Sequence, residues 1–118
     1  MTKAADLATL AGGADTLTDT TNTGSVTLDF SRYQNFILTF TGNVTLANPT
    51  TEAVGQSGFI ICIQDGTGSR TLSLGTDYET VGGAGITLST DPNTVDMIPY
   101  VVQSASNILL GNVQKAFA

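Results

Sequence analysis

Carboxylates are the side chains of this 118-residue chain that could most readily do chemistry, since it has ten Asp and Glu and no His. A pair of carboxylates can hydrolyse a glycosidic bond without histidine. Candidates on predicted loops or strand ends are Asp65, Asp77, Glu79, Asp91 and Asp96. Their spacing does not predict that any two converge, and Asp65 and Asp91 have the simpler role of starting turns. We therefore predict no catalytic residue and expect that the protein is not an enzyme.

The lack of histidine also excludes Ser-His-Asp and Cys-His catalysis. Gly55-Gln56-Ser57-Gly58 has the wrong spacing for a nucleophile elbow and is interpreted as a turn that enters a strand. Gly66-Thr67-Gly68 lacks the lysine and the following helix of a phosphate-binding loop, and is interpreted as a hairpin tip. No cofactor is predicted.

Oxygen ligands for a calcium ion could come from Asp15 with Asp19, or from Asp91, Asn93 and Asp96. Neither set has the spacing of an EF-hand loop. We predict no metal site.

The formal net charge is -6, and the cationic side chains are limited to Lys3, Arg32, Arg70 and Lys115. They are too scattered to form the basic surface that binds nucleic acid or an anionic membrane. No apolar run is long enough to span a bilayer. Charged residues make up 12% of the chain, so Thr, Ser, Asn and Gln must build the polar surface, which suits either a solvated β-face or a domain packed against neighbours.

Residues 57–78 give the clearest structural signal and predict a β-hairpin. The apolar run of residues 59–63 predicts a strand buried on one or both faces, Asp65-Gly66 with Gly68 supplies turn chemistry, and residues 71–74 predict a half-buried return strand. Cys62 lies inside the apolar run and is predicted to pack as a small hydrophobe.

Apolar and polar residues also alternate elsewhere from residue 15 onward. Phe36, Leu38 and Phe40 predict one face of a strand whose other face carries Ile37, so this strand should be central or covered by a subunit. We expect residues 41–43 to turn the chain after it.

Further strands are predicted at residues 26–30, 86–88 and 95–97, with a turn at residues 91–93. Residues 98–103 and 107–113 predict a pair in which Pro99 marks an edge or a bulge. Glycines in residues 75–85 predict a loop with positive φ angles.

These elements predict an all-β protein: an antiparallel β-sandwich or a small jelly-roll or barrel of about eight to ten short strands. Residues 15–118 form the single β-domain, and residues 1–14 are an N-terminal arm with a short helical pattern that needs a packing partner. Partner contacts are predicted at Leu7 and Leu10 in the arm and at Arg32 and Tyr33 in a polar corner between two strands. In the corner, the simpler alternative is a turn whose Tyr33 caps the edge of the core.

Four segments resemble a small all-β module of tailed-bacteriophage virion proteins. They are SVTLDFSRYQNFILT at 25–39, GNVTLANP at 42–49, GQSGFI at 55–60 and QDGTGSRTL at 64–72, and residues 96–100 and 108–111 continue the likeness. The resemblance covers residues 24–111 and brings no catalytic motif.

The resemblance implies a virion structural protein, and the brevity of the chain favours a capsid decoration or cement protein that stabilises the head shell. Its expected partners are the major capsid protein and itself, as a homotrimer on the capsid surface, without nucleic acid or membrane. The alternative is a tail-fibre or adhesion module that binds a host surface glycan, with Tyr33, Tyr78 or Tyr100 as a stacking platform.

Overall fold

Eight strands form most of the regular structure in the computed structural model, which describes residues 15–117. They are β1 Thr16–Val26, β2 Asn35–Leu46, β3 Ser57–Gln64, β4 Leu72–Leu74, β5 Tyr78–Glu79, β6 Val95–Ser104, β7 Asn107–Leu110 and β8 Gln114–Phe117. A single 3-10 turn at Val81–Gly83 is the one helical element of this described part. The predicted all-β class is confirmed. The predicted arm, with Leu7 and Leu10, lies outside the described residues.

The strands make one mixed sheet that curls into a half-barrel, in the order β1-β2-β3-β6-β7-β5. β1, β3 and β4 all run parallel to β2. β6 is antiparallel to β3 on one side and to β7 and β8 on the other. The predicted antiparallel pairing is therefore correct for the contacts of β6 and wrong for those of β2, and β5 also pairs in parallel with β7.

The predicted hairpin at residues 57–78 is wrong, because β3 and β4 do not pair with each other. Both lie along the same edge of β2, with Phe40 beside Gln64 and then Val44 beside Leu72. The chain leaves the sheet after Gln64, makes an excursion through residues 65–71, and returns in the same direction as β4.

Side-chain hydrogen bonds hold this excursion closed. The buried Gln64 amide donates to the carbonyls of Arg70 and Ser89, at 2.8 and 2.9 Å, and its oxygen accepts from the Arg70 N–H at 2.9 Å. At the tip, the Asp65 carboxylate accepts from the N–H groups of Thr67 and Gly68. The Asp-Gly signal is thus real turn chemistry, but it closes a loop on one strand edge instead of reversing the chain.

Two crossovers without helices connect the parallel strands β1, β2 and β3. Residues 27–34 connect the first pair and carry Leu28 and Phe30, which are buried in the core and do not form the strand predicted there. The Phe30 ring packs edge-on against Phe36 and Tyr100, with centroid distances of 5.1 and 5.3 Å. The crossover therefore provides the inner layer that a helix usually provides between parallel strands.

Strand β2 continues through residues 41–43, where a turn was predicted. Gly42 lies against the side chain of Thr23 in β1, so closely that a Cβ at this position would collide with it. Glycine here serves a close strand contact and not a turn. The strand predicted at residues 86–88 is also absent, although Leu88 is buried in the core.

Other predictions from the sequence are confirmed. β2 is central, with β1 on one side and β3 and β4 on the other. β6 and β7 form an antiparallel pair. Pro99, however, marks neither an edge strand nor a bulge, because β6 lies between β3 and β7 and its register shifts fall at other residues. Pro99 faces the interval between β7 and β8, where Gly111 donates its N–H to the Pro99 carbonyl at 2.8 Å. Gly82, Gly83 and Gly85 have positive φ angles, as predicted.

The inner, concave face of the sheet carries the core. Alternate residues of β2, β3 and β6 point into it, among them Phe36, Ile60 and Ile98, each fully buried. Cys62 shares this face, and burial raises the pKa of its thiol to about 12, so it packs as a hydrophobe, as predicted.

Candidate functional site

The predicted polar corner, residues 31–33, is a tight turn directly before β2. The Asp29 carboxylate accepts hydrogen bonds from the Ser31 N–H and hydroxyl, at 3.0 and 2.6 Å. The Asp29 carbonyl accepts from the N–H groups of Arg32 and Tyr33. The bond from the Ser31 side chain holds the pKa of Asp29 below its ordinary value. Local side-chain capping therefore shapes this corner, as is usual for Asp and Ser in turns.

Buried polar groups attach the corner to the body of the domain. Gln56 donates from its amide to the Tyr33 carbonyl at 3.0 Å and to the Tyr100 hydroxyl at 3.1 Å. The Tyr100 hydroxyl in turn donates to the Gln34 carbonyl at 2.5 Å. Since Tyr100 lies in the middle of β6, the position of the corner is fixed by the central strands of the sheet.

The corner borders an open depression of about 320 Å³ that is lined by Asp15, Ser31, Arg32 and Tyr33. The Arg32 guanidinium lies 5.5 Å from the centre of the Tyr33 ring, in cation–π geometry. The ring also packs edge-on against Phe36 at 6.3 Å. Tyr33 thus caps the edge of the core, as in the simpler alternative, and at the same time supports the exposed Arg32.

A second depression, of about 380 Å³, lies beside the corner where β2, β3 and β6 are adjacent. Gln34 and Asn35 line it, but their amides already bond the backbone of Ser57 and Phe59, at 2.8 and 3.0 Å. Gly58 fits under them only because it has no Cβ, which would collide with the Gln34 carbonyl. The polar groups of this second depression are thus mostly occupied by hydrogen bonds within the protein, and its exposed apolar side chain is Phe59.

The tyrosines proposed as stacking platforms for sugar have different environments. Tyr78 and Tyr100 are 5% and 4% exposed, so neither offers a ring face to a ligand, and the prediction is wrong for both. Tyr33 is half-buried and lines the corner depression. Of the three, only Tyr33 remains a candidate.

The candidate carboxylates do not form a cluster. Asp65 pairs with Arg70 at 3.0 Å, and the hydrogen bond from Arg70 holds the pKa of Asp65 below its ordinary value. Asp96 is buried and accepts from the N–H groups of Ser89 and Ala116, at 2.6 and 2.8 Å. No group of three or more Asp, Glu, His or Cys side chains that could hold a metal occurs within residues 15–117.

In the Gly66-Thr67-Gly68 segment, the N–H groups of Thr67 and Gly68 donate to the Asp65 carboxylate. A carboxylate at this place would repel a phosphate. The segment is therefore a turn and not a phosphate-binding loop, but it is the tip of the excursion between β3 and β4 and not the predicted hairpin tip.

The outer face of the sheet was not predicted as a site. Six of its residues, Ile37, Phe59, Ile61, Met97, Val101 and Leu109, are named here the outer apolar face; they are exposed or half-exposed on β2, β3, β6 and β7. The sequence contained a signal for it, since Ile37 and the unbroken run of residues 59–63 place apolar side chains on both faces of a strand.

Comparison with known proteins gives one family. Residues 20–106 match the family model described as "Putative phage tail fibre C-terminal domain". No curated protein and no solved structure matches the chain. The matched range includes the corner at residues 31–33 and three of the four strands of the outer apolar face, β2, β3 and β6. Within residues 15–117, none of the helical structure is long and apolar enough to cross a membrane.

Proposed function

The chain belongs to the family of phage tail fibre C-terminal domains, and from this membership we propose that it is the host-contacting domain of a tail fibre. It is a structural component of a phage virion. The proposed activity is non-covalent binding of a glycan on the host surface, and the proposed binding site is the corner formed by Asp15, Ser31, Arg32 and Tyr33.

The family match is the observation that carries this proposal. It covers most of the described chain, and its description names the tail fibre. It supports the phage virion role inferred from the sequence, and it favours the tail-fibre alternative over capsid decoration. The major capsid protein would be the partner only if the chain were a capsid decoration protein, which is the less favoured function.

The chemistry of the corner suits a ligand rich in hydroxyl groups. Arg32 supplies hydrogen-bond donors, the Ser31 hydroxyl donates to Asp29 and keeps its oxygen as an acceptor, and Tyr33 contributes an apolar ring edge. The site is shallow and open, which fits a saccharide presented on a surface better than a small molecule enclosed by protein. Because Asp29, Gln56 and Tyr100 hold the turn in place before any ligand arrives, little conformational entropy would be lost on binding.

We also propose that the domain is not an enzyme. The chain lacks histidine, and its one thiol, Cys62, is buried with a pKa of about 12. Asp65 and Asp96 are already engaged by the protein's own donors. These observations leave binding as the activity that the described side chains support.

Locating the chain on the virion tests the tail assignment. We expect labelled antibody or gold-tagged protein to mark the tip of the tail or its fibres, with a small number of copies per virion. Labelling over the whole head, with a copy number proportional to that of the major capsid protein, would overturn the tail assignment in favour of capsid decoration.

A charge-matched pair of variants tests the corner. Arg32→Gln should reduce binding of the purified protein to host cells about tenfold, because it removes the guanidinium donors of the site. Lys115→Gln removes one positive charge from β8, outside the corner depression, and should bind as the unmodified protein does. If Arg32→Gln binds host cells as well as the unmodified protein does, the corner is excluded as the binding site. If both variants lose binding to the same extent, the loss is a general effect of charge.

A further inference from the structure

The outer apolar face is continuous across the central strands. In the register of the sheet, Ile37 of β2 lies beside Ile61 of β3, which lies beside Met97 of β6. Toward the other end, Phe59 faces Pro99, and Val101 faces Leu109 of β7. Phe59, Val101 and Leu109 are exposed by 43%, 39% and 39%. The face is therefore a connected patch on a rigid sheet and not a set of isolated side chains.

The two sides of the sheet are covered differently. On the inner side, Leu28 and Phe30 of the first crossover and Leu88 of the loop before β6 complete the core. On the outer side, the described residues provide no second layer over β3 and β6, and their outward residues stay exposed or half-exposed. A sheet with apolar residues on both faces normally has a layer on both faces.

We propose that the outer apolar face is covered by the same face of a second copy of this chain. Two sheets packed face to face about 10 Å apart make a β-sandwich, with interdigitating apolar side chains between them. Here one sheet would come from each copy. A face that meets the same face of another copy forms a two-fold dimer, so the homotrimer expected from the sequence would need a different contact.

The charge distribution favours a second copy as the occupant. The chain has a net charge of -6, so two copies repel each other unless charged groups are absent from the contact. All outward residues of β2, β3, β6 and β7 are apolar or neutral and polar, with Ser, Thr, Asn and Gln around the apolar centre. On this side of the sheet, β5 places the exposed Glu79 beside Leu109, at the rim of the face. The neutral centre lets like-charged copies meet, whereas a basic partner would find one carboxylate at the rim and none in the centre.

The size of the face is adequate. An outward residue covers about 33 Å² of a sheet, from strand spacings near 4.8 Å and about 6.7 Å between alternate residues. The four strands thus present roughly 500 Å², against about 800 Å² per partner in an interface of standard size. Two copies would thus bury about 1,000 Å² in total, near the lower limit for a specific interface, and the adjoining loops would add to this area. The proposal does not depend on whether the domain serves a tail fibre or a capsid.

The solution mass of the full chain tests the proposal. We expect twice 12.2 kDa at micromolar concentration, by sedimentation or light scattering. Val101→Glu places a charge on the face at an exposed position and should yield a folded single chain. Val81→Glu makes the same change at an exposed valine outside the face and should leave the mass unchanged. A monomeric unmodified protein at about 100 µM would overturn the proposal, as would an assembly that Val101→Glu leaves intact.

Thiol labelling gives a second readout that does not depend on mass. Cys62 is buried and unreactive, so a cysteine introduced elsewhere is labelled alone. In the single chain, positions 101 and 81 are exposed by 39% and 62%, which predicts rates within about threefold for Val101→Cys and Val81→Cys. Coverage by a second copy should slow the labelling of Val101→Cys more than about tenfold relative to Val81→Cys. Similar rates would contradict coverage by any occupant. Slow labelling in a monomer would assign the face to another part of the same chain and overturn the second copy.

Discussion

The inner and outer faces of β2, β3 and β6 are both apolar, yet the described chain covers only the inner one. Crossover and loop residues fill the concave side, where Phe36, Ile60 and Ile98 are fully buried. On the convex side, Phe59 and Val101 keep substantial exposure. Apolar residues on both faces of a strand indicate that it needs two covering layers, but they do not indicate which chain supplies the second. Substitutions on the two faces should differ most in their effect on the free energy of unfolding of the single chain. The smallest expected effect is the pH dependence of stability from one surface ion pair.

Truncating an aromatic ring on each face should give the largest contrast. Phe36→Ala removes a fully buried ring that contacts Phe30 and Tyr33, and should lower the free energy of unfolding by about 3–5 kcal/mol. Phe59→Ala, at an exposed position on the outer apolar face, should cost less than about 1 kcal/mol in the single chain. Denaturant unfolding at low protein concentration measures both. Similar losses for the two variants would show that the outer face is already packed within one chain.

The excursion between β3 and β4 should give the next largest effect. Gln64→Met keeps the side-chain length but removes the bonds to Arg70 and Ser89, leaving backbone groups unpaired at the inner face. We expect a loss of about 2–3 kcal/mol in the free energy of unfolding. Gln103→Met, at an exposed position of β6, is the matched control and should change stability little. A neutral Gln64→Met would mean that water replaces these bonds and that the loop is not held as described.

Two buried tyrosines on the inner side should respond in opposite ways to loss of the hydroxyl. Tyr100→Phe removes the bonds to Gln34 and Gln56 and should cost about 1–2 kcal/mol in unfolding free energy. The buried Tyr78 hydroxyl has no hydrogen-bond partner among residues 15–117, so Tyr78→Phe should leave stability unchanged or raise it.

Melting temperatures of the two variants check this contrast. Equal losses would indicate that the Tyr78 hydroxyl is paired in solution. Because Tyr100 also positions the corner through Gln34, its variant should in addition bind host cells less well, whereas Tyr78→Phe should bind normally.

The smallest effect should be a dependence of stability on pH. The hydrogen bond from Arg70 lowers the pKa of Asp65 in the folded protein, so the folded state binds its proton less readily than the unfolded state. The resulting stabilisation is present above the unfolded pKa and is lost as the pH falls through the folded pKa. We expect the denaturant midpoint to fall on acidification below about pH 4, and to fall less for Asp65→Asn. An identical pH profile for both proteins would contradict a role of this ion pair.

Local patterns predicted the places of β2, β3, β4, β6 and β7, but they missed most of β1, placed strands at residues 26–30 and 86–88 that do not form, and did not predict how the strands pair. Alternation at Phe36, Leu38 and Phe40, together with Ile37, was enough to identify β2 as central. Asp65-Gly66 has the same turn chemistry whether the chain reverses or makes an excursion, so the parallel placement of β4 could not be inferred from it. That placement depends on buried contacts of Gln64 with Ser89, a residue far away in the sequence.

The candidate site was predictable to a similar extent. The polar composition of residues 31–33 between apolar segments indicated a corner, and the structure places Arg32 and Tyr33 there together. Asp15 joins them only because β1 pairs in parallel with β2, with Thr16 beside Asn35. The inward position of Tyr100 does follow the local alternation with Ile98 and Val102, a signal that argues against its use as a stacking platform.

The most direct test of the difference between the two faces is the dependence of the unfolding midpoint on protein concentration. If a second copy covers the outer apolar face, the midpoint of the unmodified protein should rise when its concentration increases about a hundredfold, because association stabilises the folded state. Phe59→Ala should weaken this dependence while the single chain stays folded. A midpoint of the unmodified protein that is the same at every concentration, in a protein whose mass is that of one chain, would contradict the account.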